Sequence, residues 1–363
     1  MKMKSKTPSV LTAGTTSKPS TRNVMNGKLV LTRAAKTVLS NSGEFREKGL
    51  CDGPIYNPGD ACAFSCAFCY VGSVMRYIAS PVIKEYNECT SQCLGFGDVV
   101  IRRDRAIALL KGQLLTESGK RIFEQGDNRV LFTSSTVDVA ANLELLRETA
   151  DACNLILEHS DLQIRLLSKS SLLHRLIADN LIPERHHQRL IFGFSTGTLD
   201  DNVAGAIEKG TAKVSKRIES LHWLQDRGLR TFGMICPSLP QADYGEFSRE
   251  ICKAIRVRNC EHVWAEPLNV RGQSLLKTIA ALHNAGLRVE ADRLAAVSGP
   301  RNSAAWEDYS RSTFLAHTRN VPPEKLRFLQ YIDGKTAPWW SVHRKYGAVL
   351  LGKTAKAMGL TAV

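Results

Sequence analysis

Three cysteines within eight residues constrain the fold and chemistry of this 363-residue chain more than any other feature. Cys62, Cys66 and Cys69 follow a C-x3-C-x2-C spacing, so their thiolates can join one compact metal site but cannot reach distant partners. Four-iron clusters are held by cysteine thiolates, normally four. Three would leave one iron free to bind a small chelating molecule and pass it an electron. The alternatives are a zinc knuckle or three buried thiols, although zinc sites usually combine C-x2-C pairs with a fourth ligand.

This motif resembles the signature of the radical S-adenosylmethionine (SAM) superfamily. The superfamily has the same spacing and an aromatic residue before the third cysteine, which is Phe68 here. The resemblance implies that Cys62, Cys66 and Cys69 hold a [4Fe-4S] cluster. It also implies that the open iron binds the amino and carboxylate groups of SAM.

The net charge of +14 is unevenly distributed. Residues 1–43 carry eight Lys or Arg and no acid, and residues 299–363 carry ten Lys or Arg and four acids. The 255 residues between them hold 31 of each sign and sum to zero. Basic ends favour a polyanionic partner such as DNA or RNA, contacted through its phosphates. The alternative is a solvated tail beside an ordinary basic surface.

Composition also predicts the compartment. Residues 1–27 are rich in Ser, Thr, Lys and Gly, so we expect a basic, largely disordered arm over residues 1–43. A transit peptide is the minor alternative. No stretch approaches the roughly 20 apolar residues of a membrane span, and no secretory signal is evident. Clustered cysteines without such a signal indicate a reducing compartment, and we expect a cytoplasmic protein.

Apolar runs alternate with helical patterns over residues 44–298, which predicts a parallel sheet with crossover helices. The six predicted strands are 55–56, 130–133, 162–167, 190–195, 230–236 and 262–265. The predicted helices include 107–115, 140–153, 172–179, 215–227, 246–256 and 275–286. A doubly wound sheet is one architecture that fits this alternation of strands and helices. The cluster loop after strand one favours the partial (βα)6 barrel of radical SAM enzymes.

Residues 299–363 form a basic, aromatic-rich C-terminal extension in which aromatic residues such as Trp306, Tyr309 and Trp340 alternate with arginines. Interleaved aromatic and basic residues can stack bases and hold phosphates. The alternative is a packed cap whose aromatic residues are core. No cysteine follows Cys260, which argues against an auxiliary cluster in this region.

Polar residues follow the predicted strands, where the active residues of such barrels lie. SAM needs a cation for its carboxylate, acceptors for its amino group and hydrogen-bonding partners for its ribose. Any single serine here could instead cap a helix. The predicted cofactor-binding residues are Tyr70, Ser135, Thr136, Lys169, Ser195, Thr196 and Arg217.

Further motifs over residues 51–272 resemble the branch of the superfamily that contains spore photoproduct lyase and its "DNA repair photolyase" relatives. They are Val100–Asp104, Ser168–Ser170, Glu208–Ala212 followed by Arg217, and Val263–Leu268. The resemblance implies that Thr136, Lys169 and Ser195 contact SAM.

One position departs from this branch. The lyase carries a hydrogen-donating cysteine in strand two, where Ser135 stands here. A serine O–H bond is too strong to replace a thiol, so we expect that repair by the lyase's route does not operate. Cys89, Cys93 and Cys236 are other candidate donors. Cys89 and Cys93 also fit a redox pair, a second metal site or two incidental thiols.

The resemblance therefore predicts a radical SAM enzyme, in which SAM cleavage yields a 5′-deoxyadenosyl radical that acts on a nucleic acid or nucleotide. Its expected partners are that substrate and a reductant such as flavodoxin or ferredoxin. One alternative is an enzyme that modifies a peptide or a small metabolite. Another is a binding protein whose iron–sulfur cluster is structural or sensing.

Overall fold

The computed structural model describes residues 24–41, 43–300 and 303–361. Most of the predicted basic arm lies outside these ranges. The strands run in chain order from β1 to β15. They are Val24–Met25, Lys28–Arg33, Leu39–Ser40, Ile55–Tyr56, Gly59–Ala61, Ser65–Cys66, Val99–Arg103, Val130–Thr133, Gln163–Ser168, Leu190–Ser195, Glu208–Lys209, Arg230–Ser238, Cys260–Pro267, Leu326–Tyr331 and Ala348–Leu351.

Helices separate most of these strands and run from α1 to α14. They are Gly43–Glu47, Val71–Val74, Arg76–Thr90, Ala106–Leu114, Leu143–His159, Arg175–Ala178, Asp201–Ile207, Val214–Gln225, Tyr244–Ala254, Ser274–Asn284, Arg288–Ala296, Ala304–Thr318, Ala337–Val342 and Lys353–Ala357. Short 3₁₀ turns lie at Phe96–Asp98, Glu184–Arg189, Val257–Asn259 and Arg344–Tyr346. None of the helices described is both long and apolar enough to cross a bilayer.

The main sheet has nine strands in the order β15-β14-β13-β12-β10-β9-β8-β4-β3. All neighbours in it are parallel except β3, which pairs antiparallel with β4 at the edge. The six predicted strands correspond to β4, β8, β9, β10, β12 and β13, so the α/β prediction is confirmed. In the described chain no pairing joins β3 to β15, so the sheet is open.

Residues 43–51, which include α1, pack on the face of this sheet opposite the longer crossover helices. Tyr331 Oη on β14 donates to Glu44 Oε1 at 2.7 Å, and the neighbouring Phe45 ring stacks on Phe132 of β8 at 5.3 Å. In a flat sheet, five strand spacings of about 4.8 Å would separate β14 from β8 by about 24 Å. Side chains standing off a flat sheet would not bridge that distance easily, and buried residues from β4 at one end of the sheet to β15 at the other share one core cluster with Leu50 and Cys51, so the sheet curls around residues 43–51.

The C-terminal extension is part of the main sheet rather than an appendage. It supplies β14 and β15, and α12 packs against α9. Trp306, Tyr309, Phe314, Phe328 and Trp340 are buried. These aromatic residues are therefore core, and the reading in which they stack bases is not supported for them.

The described part of the predicted arm contains strands β1, β2 and β3, whereas the expectation of a largely disordered segment over residues 1–23 lies outside the described residues. Strand β2 pairs in parallel with β7, in a second sheet of order β1-β2-β7-β5. Asp60 on β5 is fully buried and accepts from Arg33 at 2.5 Å and from Arg103 at 2.7 Å. Composition could not show this, because the ion pairs and the pairing of β2 with β7 join distant parts of the chain.

Candidate active site

The cysteine loop lies at the carboxyl edge of the main sheet. Cys62, Cys66 and Cys69 line one cleft there. The side-chain ammonium of Lys28 donates to the carbonyl oxygens of Cys62 and Phe64 at 3.0 and 2.7 Å. Strand β6 within the loop also pairs antiparallel with β11. The loop is therefore held from two sides.

The environment of the three thiols fits a metal cluster. Burial raises the pKa of Cys62 to about 12, and it raises the pKa values of Cys66 and Cys69 above the ordinary thiol value. The backbone N–H groups of Phe64 and Asp138 donate to Cys62 Sγ at 3.4 and 3.3 Å. Such donors stabilise a metal-bound thiolate. Because the pKa values are raised, thiolates without a metal would be disfavoured here.

Within the described residues, no set of three or more His, Cys, Asp or Glu side chains is arranged around a single metal ion. A lone zinc ion needs its ligands around one point. In a four-iron cluster the thiolates bind different irons, so they need not converge on one point.

The predicted SAM residues largely meet in the same cleft, which encloses about 1120 Å³ including its open mouth. Tyr70, Ser135, Thr136, Lys169 and Ser195 all line it. They come from the cysteine loop and from the carboxyl ends of three neighbouring strands, because parallel strands end at one edge.

Ser135 and Ser195 do not cap helices. Helix α5 is capped by Asn142, whose side chain accepts from Leu145 N, and α7 is capped by Asp200. Ser135 Oγ instead donates to Asn57 Oδ1, and Ser195 Oγ donates to the Cys236 carbonyl oxygen at 3.0 Å. The two hydroxyl groups therefore stay at the cleft wall.

Lys169 is the cation expected for the SAM carboxylate, and its ammonium already has three partners. It donates to Glu208 Oε1 at 2.6 Å, to Ser195 Oγ at 2.9 Å and to the Cys236 carbonyl oxygen at 3.1 Å. Glu208 is 3% exposed and also pairs with Arg217 at 2.5 Å. One buried carboxylate thus neutralises two cations, and its strand β11 adjoins Cys66.

Two predicted cofactor residues do not line the cleft. Arg217 is fully buried beneath it, where it donates to the Ser195 carbonyl oxygen at 2.8 Å. Thr196 is 1% exposed and donates to the Thr198 carbonyl oxygen at 2.6 Å. Both residues support the wall from behind, so neither can contact a ligand in the cleft without rearrangement.

Asp138 is a site residue to which the sequence assigned no role. Its carboxylate accepts from Ser168 Oγ at 2.8 Å, from Lys169 N at 2.8 Å and from Ala140 N at 2.9 Å. Burial raises the pKa of Asp138 above its ordinary value, and these hydrogen bonds oppose the shift. Since its own N–H contacts Cys62, Asp138 joins the strand ends to the cysteine loop. The position of Asp138 after the second predicted strand is the sequence signal that could have identified it as a site residue.

The far wall of the cleft carries Lys48, Glu266 and Cys236. Burial disfavours the Lys48 ammonium, but nearby Glu266, Tyr70, Tyr331 and Glu44 hold its pKa well above the ordinary value. Burial raises the pKa of Cys236 to about 12, and its thiol lies 3.9 Å from Glu266 Oε2. Only Cys236 could be anticipated, as one candidate thiol among three.

Cys89 and Cys93 lie outside the cleft. Both are exposed, and Cys89 belongs to the last turn of α3, which ends at Thr90. Cys236 is thus the only one of the three candidate donors that lines the cleft.

No family model matches this chain, and no curated protein matches it. Among solved structures, spore photoproduct lyase complexed with dinucleoside spore photoproduct is similar at a TM-score of 0.45 and 12% identity, over 69% of this chain and 66% of the lyase chain. A lyase mutant with the same dinucleoside gives a TM-score of 0.48 at 12% identity, over 69% and 65%. A mutant with bound AdoMet and the dinucleoside gives 0.43 at 12% identity, over 68% and 71%. In the first two, this chain covers slightly less than two thirds of the lyase. The solved structures to which this chain is similar thus include spore photoproduct lyase, at low identity over about two thirds of each chain.

Proposed function

We propose that this protein is a radical SAM enzyme. The observation that carries the proposal is the convergence of two independently predicted sets, the cysteine trio and the polar strand ends, on one cleft. A structural zinc site would not require Lys169, Ser135 and Ser195 beside the cysteines. The curled sheet around residues 43–51 supports the partial barrel proposed from the motifs.

The proposed roles follow from chemistry and position. Cys62, Cys66 and Cys69 would hold a [4Fe-4S] cluster. When bound, the cluster supplies the electron that cleaves SAM into methionine and a 5′-deoxyadenosyl radical. The chain's own residues would bind SAM and exclude water, because a cleft with mostly apolar walls provides the dry cavity that radical chemistry needs. Lys169 would pair with the SAM carboxylate, and Ser135, Thr136 and Ser195 would contact its polar groups.

The proposed substrate class is a nucleic acid or nucleotide. Support comes from the lyase-like motifs and from the basic charge of the chain. The lyase structures contain a dinucleoside spore photoproduct. Ser135 stands where the lyase has its donor, so we propose a related reaction rather than the same one.

The second candidate is a radical SAM enzyme that modifies a peptide or small metabolite. The mixed character of the far wall, where Lys48 and Glu266 carry opposite charges, suits a zwitterionic ligand as well as a base. A non-catalytic iron–sulfur protein is the third candidate, and SAM cleavage separates it from the other two.

The test is anaerobic reconstitution of the full chain, with measurement of iron content and of 5′-deoxyadenosine formed from SAM and a reductant. We expect about four irons per chain. The Cys62→Ala, Cys66→Ala, Cys69→Ala variant should lose both iron and SAM cleavage. The Cys89→Ala, Cys93→Ala variant is the matched control and should retain both.

Iron binding by the triple variant at the wild-type level would contradict the proposed ligands. A loaded wild type that does not cleave SAM would favour the structural or sensing role. If the wild type does cleave SAM, mass spectrometry of nucleic acid incubated in the same reaction tests the substrate class.

A further inference from the structure

A second cavity lies at the amino edge of the main sheet, the edge opposite the cysteines. It is formed by the end of α9, the turn before β13 and the loop before β14. It encloses about 1200 Å³ including its open mouth. We call it the amino-edge cavity. Its charged lining residues are Arg249, Lys253, Arg256, Arg258 and Arg319.

The amino-edge cavity is strongly basic. No acidic residue lines it among the residues the structure describes. Arg256 pairs with Asp226, and Arg249 pairs with Glu250 at 3.5 Å. Lys253, Arg258 and Arg319 are exposed, and within the described ranges they form no ion pair closer than 4.0 Å. Three cations therefore remain available to an anionic ligand.

The cavity walls are held by hydrogen bonds that do not use these three cations. Lys325 Nζ donates to the carbonyl oxygens of Arg258 and Cys260, each at 2.8 Å. Asn320 Nδ2 donates to Ser248 Oγ and to the Ala316 carbonyl oxygen, each at 3.1 Å. The backbone that presents Arg258 and Arg319 is thus fixed before any ligand binds, which lowers the entropic cost of binding.

We propose that the amino-edge cavity binds the phosphate backbone of a nucleic acid. Arginine guanidinium groups match phosphate oxygens in a bidentate geometry, and clustered cations release counterions when phosphates bind. A lone small anion would need only one or two such groups. Several cations around an open cavity of this size suit successive phosphates.

Sequence composition did not reveal this surface. Four of its cations lie in the charge-balanced middle of the chain, and only Arg319 belongs to the basic C-terminal extension. The fold brings Arg319 beside Lys253 and Arg258, and among the described residues these three cations pair with none of the acids that balance them in the count. Positive charge that is balanced by acids in the sequence count is therefore concentrated at the amino-edge cavity.

The cavity is remote from the cleft. Strand β13 has eight residues, which at about 3.3 Å each span roughly 26 Å between the two edges. A duplex rises about 3.4 Å per base pair, so the cavity would contact phosphates roughly eight base pairs from the reacting position, or a separate segment. The proposal rests on the proposed function only in choosing a nucleic acid as the polyanion.

The experiment measures binding of a fluorescein-labelled 20-nucleotide DNA, single- and double-stranded, by anisotropy at several salt concentrations. The Lys253→Ala, Arg258→Ala, Arg319→Ala variant should bind roughly tenfold or more weakly near physiological salt. Its plot of log affinity against log salt should be shallower by about two to three units for duplex DNA. The matched control, Lys36→Ala, Lys111→Ala, Lys120→Ala, removes three exposed lysines elsewhere and should behave as wild type.

SAM cleavage is measured in the same preparations and should be unchanged in both variants, because the cavity is far from the cleft. Equal binding by the cavity variant and the wild type would overturn the proposal, as would an absence of DNA binding by the wild type at low salt. An equal loss in both variants would show a diffuse charge effect and would also overturn it. Failure of SAM cleavage in the wild type would instead count against the proposed function and leave the binding result to be judged separately.

Discussion

At the residue scale, Glu208 decides how available Lys169 is to a ligand. The Lys169 ammonium donates to Glu208 at 2.6 Å, and the same carboxylate is the counter-charge of the buried Arg217. A ligand carboxylate that pairs with Lys169 must compete with Glu208. The network therefore stabilises the empty cleft and weakens the binding of an anionic group to Lys169.

We predict opposite effects of two substitutions on SAM affinity. Lys169→Ala should weaken binding by about 1.5–3 kcal/mol, the usual contribution of a hydrogen bond to a charged group. Glu208→Gln should tighten binding, because it removes the competing charge from Lys169. The same change should lower the free energy of unfolding by about 3–5 kcal/mol, since Arg217 would lose its buried partner.

Both affinities can be measured by anaerobic equilibrium dialysis with labelled SAM. Glu219→Gln, which alters an exposed carboxylate on α8, serves as the control. It should change neither the SAM affinity nor the free energy of unfolding. Weaker SAM binding in Glu208→Gln would mean that Glu208 holds Lys169 in its binding position rather than competing for it.

The residues whose place at the cleft could be predicted from sequence are those whose position depends on local spacing. Cys62, Cys66 and Cys69 are close in the chain, and Ser135 and Lys169 each follow an apolar run. Arg217 could not be placed, because its burial depends on packing between α8 and β10.

At the element scale, residues 43–51 pack inside the curled sheet and contact several of its strands. Arg165 on β9 donates to the Leu50 carbonyl oxygen. Its guanidinium lies 4.9 Å from the ring centroid of Trp264 and 5.6 Å from that of Phe232. Trp264 Nε1 in turn donates to the Lys48 carbonyl oxygen at 2.8 Å. These contacts join the segment to the middle strands.

We predict that Arg165→Met lowers the free energy of unfolding by about 2–4 kcal/mol. The change leaves the buried Leu50 carbonyl without this donor and removes the contacts with both rings. Urea denaturation measures the loss, and amide hydrogen exchange should become faster over residues 44–51. Arg129→Met alters an arginine that is 46% exposed, and it should change stability by less than about 0.5 kcal/mol. Unchanged exchange in Arg165→Met would show that the segment is held without this arginine.

The six central strands could be predicted because each is a buried apolar run between turn residues. Strand β14 was not predicted because its apolar residues are interrupted by Arg327 and by the buried Gln330, and because the extension's basic and aromatic pattern obscures it. Strand β2 was not predicted because its partner β7 lies some seventy residues away along the chain. Pairing between distant segments leaves no local signature.

At the scale of the whole molecule, the two edges of one sheet are chemically distinct. The carboxyl edge carries the cysteine trio and the polar strand ends, and the amino edge carries the amino-edge cavity. The C-terminal extension links the two, since β14 contributes Leu329 to the cleft while the loop before it lines the cavity. The extension is therefore integral to the fold, and its packing should govern global stability.

His317 on α12 makes that packing dependent on pH. It is fully buried against α9, its Nδ1 lies 3.0 Å from Ser248 Oγ, and burial lowers its pKa to about 4. The unfolded chain binds a proton near the ordinary histidine pKa of about 6.5, whereas the folded chain does not until about pH 4. The unfolded state thus binds more protons between these values, so stability is full above about pH 6.5 and falls as the pH drops towards 4.

We therefore predict that acidification from pH 7 to pH 4 removes roughly 3 kcal/mol of the free energy of unfolding through His317. Burial also lowers the pKa of His262 to about 4, so the total loss should be larger. Urea denaturation of the apoprotein at a series of pH values measures the slope. His317→Gln keeps a hydrogen-bonding group near Ser248 but cannot titrate, and its slope should be shallower over this range. His283→Gln, at a histidine that is 46% exposed, should leave the slope unchanged. A wild-type slope retained by His317→Gln would show that α12 docks without a pH-sensitive contribution from this residue.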